Sequence, residues 1–179
     1  MNSKFHVVEG ELLEKYHEDL IICSACIGGE IPQHILNGRM DKAEESVLWF
    51  KNLFGEDYYL EIQRHETHDP NAAQDVYPHQ VTANKAILEL ARKHNIKVIA
   101  TNDVHFVNAE DAEAHDRLIC LSTGKDLDDP NRMRYTKQEW MKTTAEMNTI
   151  FSDIPEALSN TLEIADKVEF YSIDHGPLM

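Results

Sequence analysis

The chain is poor in several features that define whole classes of protein. Three cysteines in 179 residues is a small, odd count. It excludes a disulfide scaffold and indicates reduced thiols in a cytoplasmic setting. No apolar run is long enough to cross a membrane. Lys4, His6 and Glu9 interrupt any apolar segment near the start, so a signal peptide is not expected. Positive charge is scarce: 17 Lys and Arg face 32 Asp and Glu, for a formal net charge of −15. Such a chain repels a phosphate backbone on average, so strong DNA binding by it alone is not expected. There is no internal repeat and no low-complexity linker. A hydrophobic content of 42% is sufficient for a real core in one domain or a domain and a half.

What is present is an alternation of short apolar runs and helical patterns. Residues 1–18 are polar and partly helical. Residues 20–27 read as a first buried strand, broken by Gly28 and Gly29. Helices follow at 30–36, with Pro32 in the first turn, and at 41–53, with Asp41 as N-cap and Gly55 as the stop. Residues 58–65 form a second strand. A helix over 77–94 carries Val81, Ile87, Leu88 and Ala91 as its apolar stripe, and 98–104 form the third strand. A helix over 109–121 has Asn108 as its N-cap. Thr136 with Glu139 has the spacing of a capping box and predicts a helix running towards Phe151. Pro155 opens the last helix, and residues 171–179 read as an irregular tail. Strand–helix–strand–helix–strand over 19–104 implies an α/β fold with parallel strands and crossover helices.

Each strand ends in a residue able to bind a metal. The first ends at Cys26, the second at His65 and the third at Asp103 and His105. Asp103 and His105 are two apart, so an extended chain points both to one side. The C-terminal ends of parallel strands share one rim, where α/β folds place their chemistry. Thiolate, imidazole and carboxylate together suit zinc, while manganese favours the oxygen and nitrogen donors. Cys23-x-x-Cys26 has a redox spacing, but on an apolar strand it reads as two buried thiols. His115 lies one turn after Asp111 on a helix and reads as an ion-pair partner. His6, His17, His34, His68, His79, His94 and His175 read as solvated. Arg132, Arg134 and Lys137 form the one local basic cluster, either a phosphate contact or a solvated face.

Four stretches carry a family resemblance. They are Ser24-Ala-Cys-Ile-Gly-Gly-Glu-Ile-Pro-Gln33, Tyr59-Leu-Glu-Ile-Gln-Arg-His65, Ala100-Thr-Asn-Asp-Val-His105 and Ala114-His-Asp116. Together they resemble the PHP (polymerase and histidinol phosphatase) domain of bacterial DNA polymerase III alpha subunits. Met147, residues 151–161, Ile164 and Ala165 resemble the stretch that leads from that domain to the polymerase palm. The resemblance implies a distorted β/α barrel whose rim holds zinc or manganese. It also implies 3′–5′ exonuclease or phosphoesterase activity where the ligands are complete, and a scaffold role where they are not. By motif, Asp103 and His105 match a metal-binding pair, Cys26 matches a Cys-or-His ligand position, and His65 is a weaker ligand candidate.

The sequence departs from the family in having no His-x-His motif. The resemblance therefore implies a fragment: residues 1–124 as the C-terminal part of the barrel, and 125–179 as a helical extension towards the palm. The fragment alone is expected to be inactive, with no catalytic residue of its own and with possible artefactual dimerisation through open strand edges. The parent would synthesise DNA with magnesium bound outside this chain, and its partners would be DNA and replisome subunits. A stand-alone PHP phosphoesterase and a purely structural module are the alternatives.

Overall fold

A computed structural model describes residues 10–172 and Gly176. His6 and His175 lie outside the described residues, as do residues 1–9 of the N-terminal segment and most of the tail beyond 172. Three parallel strands, β1 (Ile22–Cys23), β2 (Tyr58–Ile62) and β3 (Lys97–Ala100), form a sheet in the order β1-β2-β3. Seven helices accompany it: α1 (Gly10–Tyr16), α2 (Glu30–Leu36), α3 (Met40–Phe54), α4 (Val76–His94), α5 (Ala112–Thr123), α6 (Thr144–Ile150) and α7 (Pro155–Lys167). This is the partial β/α fold expected from the alternation of patterns.

The central strand is buried on both faces, with Tyr58, Tyr59, Leu60 and Ile62 all closed to solvent. Its apolar run, which such a strand requires, is broken only at the half-buried Glu61. Ile31, Ile35, Ala43, Val47, Ile87, Leu90 and Val98 pack in one core with Tyr58, Leu60 and Ile62. Phe151, Ile154 and Ala157 join that same core, bringing the start of α7 onto β3. Gly55 ends α3 at φ +58, and Asn95 ends α4 in the left-handed region at φ +52. Both are residues with a low cost there.

Four local expectations are corrected. The first strand spans two residues, because Ala25 turns the chain at φ +65 directly after the Ser24 N–H donates to Tyr59 O. Asp41 lies in the first turn of α3 and Arg39 holds the cap position, without a side-chain cap. Val81 is half exposed, and the inward face of α4 instead carries Gln80 and Asn84 beside Ala83 and Ile87. Those two amides replace a strand partner for residues 63–65: Asn84 Nδ2 donates to Gln63 O at 2.8 Å, and Gln80 Oε1 accepts from His65 N at 2.8 Å. No helix begins at Thr136. Glu139 Oε1 does accept from Thr136 N at 3.0 Å, but Lys137 adopts φ +65 and the chain stays extended to form a parallel bridge between Phe106 and Trp140. The helix starts later, under a complete capping box of Thr143 and Glu146.

A polar latch fixes α7 at the N-terminal ends of β2 and β3. Glu163 accepts from Tyr59 Oη at 2.6 Å and from Lys97 Nζ at 2.6 and 2.7 Å. Lys167 reaches Asp57 Oδ1 at 2.9 Å. Lys97 first, then Tyr59, holds the Glu163 carboxyl down at about 2.

Two predictions follow from this packing. Ile87→Ala should lower stability by about 2–5 kcal/mol, while Val81→Ala stays within about 0.5 kcal/mol, read from urea midpoints. A carboxyl whose folded pKa is depressed stabilises above its ordinary pKa and loses that contribution as pH falls through the folded value. Glu163→Gln should therefore lower Tm at neutral pH, and the gap to the unmodified chain should narrow as pH falls from 4.5 towards 2. A gap independent of pH would remove the latch from the account.

Candidate functional site

The rim is built by hydrogen bonds between strand exits. Glu61 Oε1 accepts from Ala25 N, and Glu61 Oε2 accepts from Thr101 Oγ1, each at 2.8 Å. Thr101 Oγ1 accepts from Gln63 Nε2 at 3.0 Å, and Ser24 Oγ accepts from Glu61 N at 2.8 Å. One carboxylate on the central strand thus fixes the exits of β1 and β3. Past Ala25 the chain folds tightly, with Gly29 N donating to Cys26 O at 2.8 Å. A Cβ at Gly29 would lie 2.6 Å from Ser24 O, so only glycine fits. Beneath Cys26 lies a cavity of about 10 Å³ lined in part by Glu61, Gln63, Gln80 and Asn84. It is the size of a single water, and Ile27, Pro32, Ala83 and Ile87 complete its walls.

Asp103 and His105 stand together at the exit of β3, with Oδ1 3.6 Å from Nε2. Asp103 sits at φ +44, a conformation that costs an L-residue about 1–2 kcal/mol. Both non-glycine residues in left-handed backbone at the strand exits, Ala25 and Asp103, flank this rim. Backbone strain of this kind persists where surrounding contacts hold it and is common at working sites. His105 packs against Tyr135 at 4.7 Å between ring centroids and against His115 at 5.5 Å; Tyr135 and His115 are 4.9 Å apart. His115 therefore belongs to the rim cluster and is not merely a helical ion-pair partner. Burial, and then the neighbouring His105, lowers its pKa.

The four residues singled out by sequence divide into two groups. Asp103 and His105 are adjacent. Cys26 lies close enough to feel the Asp103 carboxylate, but burial above all pushes its thiol pKa up and keeps it protonated. His65 is 2% exposed and sits below the rim. Its Nε2 donates to Asn102 O at 3.1 Å and its Nδ1 accepts from Gln80 Nε2 at 3.1 Å. Burial lowers its pKa against the opposing pull of Glu139, so the ring is neutral. Among the described residues, no three His, Cys, Asp or Glu side chains converge as a metal-binding group. Asp103, His105 and Cys26 are not drawn together as one ligand group, whereas a working zinc site needs three converging protein ligands. The residues present do not by themselves fit the metal that the PHP family implies. What they can do alone is offer two neighbouring ligand atoms, 3.6 Å apart, to a centre completed elsewhere.

Several contributors were not legible as site residues: Glu61, Gln80, Asn102, Tyr135 and Glu139. The pairing of Gln80 with Asn84 on one helical face was the available signal. Glu139 is 2% exposed, and its Oε2 has no hydrogen-bond partner among the described residues. Two cations of the basic cluster are paired with carboxylates: Arg132 forms two bonds to Asp116 at 2.6 and 2.7 Å, and Lys137 reaches Asp69 at 2.8 Å. These pairs staple the 124–137 loop to α5 and to the loop before α4. His94 is also tied down, 2.7 Å from Glu44 Oε1.

Comparison with known proteins fits this architecture. Residues 2–65 match the PHP domain. The chain is 41% identical over 174 residues to the DNA polymerase III subunit alpha of Borreliella burgdorferi, covering 96% of this chain and 14% of that protein. It is 40% identical over 171 residues to the subunit of the same name from Campylobacter jejuni, covering 89% of this chain and 13% of that one. With the Thermus aquaticus subunit it shares 36% identity over 162 residues. The chain thus spans only a small part of the length of these relatives. The chain carries a PHP-domain match over residues 2–65 and is similar, over most of its length, to one segment of bacterial DNA polymerase III alpha subunits.

Proposed function

We propose that this chain supplies one side of a PHP-type centre inside a replicative DNA polymerase, a cytoplasmic protein that extends primer 3′ ends with partner replisome subunits. The observation that carries the reading is the Asp103–His105 pair, held on strained backbone at a strand exit. Cys26, Asp103 and His105 would contribute to a zinc or manganese centre whose remaining ligands come from outside the described residues. When complete, such a centre supplies hydrolysis of a phosphodiester at a 3′ end. Residues 125–179 serve as the connector towards the palm, and magnesium serves the polymerase centre outside this chain. The absence of a three-ligand group among the described residues supports a second reading, in which the segment is a scaffold.

The chain alone should hydrolyse no labelled DNA 3′ end in the presence of zinc or manganese, and should extend no primer. Elemental analysis of the purified chain should find well below one equivalent of either metal. Metal-dependent exonuclease activity abolished by Asp103→Ala would overturn both expectations. Asp103→Gly should raise stability by about 0.5–1 kcal/mol by relieving the backbone, measured by chemical denaturation. A loss of stability would show that Asp103 is retained for packing, not for chemistry.

A further inference from the structure

We propose that His65 is a positioning residue that holds Asp103 in its strained conformation and is not itself a metal ligand. The proposal rests on the reading of Asp103 and His105 as the working pair. Its first support is the tautomer. The His65 backbone N–H donates to Gln80 Oε1, which fixes the orientation of the Gln80 amide. The Gln80 nitrogen then faces His65 Nδ1 and must donate to it. Nδ1 is therefore the acceptor, and the ring proton sits on Nε2, where Asn102 O takes it. Both nitrogens are occupied, and a metal would have to displace a buried hydrogen bond to reach either.

The second support is where those bonds lead. Asn102 immediately precedes Asp103. His65 holds its carbonyl, and its amide donates to Gln138 O at 2.9 Å and Trp140 O at 2.7 Å. On the far side of Asp103, the backbone N–H groups of His105 and Phe106 both donate to Glu139 O, at 2.7 and 3.3 Å. The strained residue is thus clamped on each side by one extended segment, 138–140. His65 links that clamp to β2 and α4. Glu139 Oε1 lies 3.7 Å from His65 Nδ1, so the segment and the imidazole also meet directly.

The test uses imidazole and amide NMR of the 15N-labelled chain at neutral pH. His65 should appear as the Nε2–H tautomer; an Nδ1–H tautomer would overturn the proposal. Added zinc should leave the His65 ring nitrogens unmoved, and a zinc-induced shift of either would make His65 a ligand after all. If zinc moves neither His65 nor His105, as expected of a chain that holds only part of the centre, the positioning role is judged by exchange. His65→Ala should speed amide exchange at His105 and Phe106 by about five- to tenfold. His65→Gln should restore it, because its amide can donate to Asn102 O. Unchanged exchange in His65→Ala would sink the positioning role. Should His65→Ala not fold, His65→Phe keeps the ring's bulk without a donor and should speed the same exchange, since Asn102 O loses its partner; unchanged exchange there would equally overturn the argument.

Discussion

The Glu61 carboxylate is the constraint on which the rim depends. It stands on the central strand between two strand exits, and each of its oxygens accepts a bond from a different one. A charged group there, half covered by protein, is tolerated because donors meet it on both sides. Removing it would take the acceptor from the part-buried Thr101 hydroxyl and release the exposed turn at Ala25 from the central strand. The turn at Ala25 brings Cys26 back over the sheet, and the bond to Thr101 sets the start of the segment that carries Asp103. Cys26 and Asp103 are near one another because one side chain spans the gap between their strands.

The same accounting explains the segment after β3. Residues 102–106 leave the ladder, so their backbone groups need other partners. They find them in the 138–140 segment and in His65. Satisfying those groups requires Glu139 O and Trp140 O to face the rim in extended geometry. A helix begun at Thr136 would turn those carbonyls along its own axis. The local capping signal is genuine, since Glu139 does bond to Thr136, but long-range hydrogen bonding outweighs it.

Most of the fold was legible from the chain. α2, α4 and α7 begin and end within a residue or so of their sequence signals, because Gly, Pro and Asn punctuate them by fixed conformational costs. Parallel pairing followed from the strand–helix–strand–helix–strand order over residues 19–104. What was not legible concerned polar residues facing inward. Gln80 and Asn84 look like an exposed stripe by hydropathy, and Val81 looks like core. Only the need of residues 63–65 for partners reverses that order. The rim was legible in part for the same reason. Asp103 and His105 announce themselves by period and residue type. The partners that hold them in place, Asn102, Tyr135 and Glu139, lie on segments whose approach no local pattern encodes.

Strain and cohesion are distributed unevenly along the strands. At the N-terminal ends of β2 and β3, Tyr59, Lys97, Glu163 and Lys167 form a mutually satisfied network that binds α7 to the sheet. At the C-terminal ends lie left-handed backbone at Ala25 and Asp103, a buried oxygen on Glu139 with no hydrogen-bond partner among the described residues, and a raised thiol pKa on Cys26. A chain optimised only for stability would relieve these features, and glycine at position 103 would be the simplest relief. Their concentration on one rim, with the opposite end tightly bound, is the pattern of a scaffold that absorbs local strain to present particular atoms. Here those atoms are the Asp103 carboxylate and the His105 imidazole. The hydrogen bonds at His65 and Glu139 O are what keep the strain from relaxing.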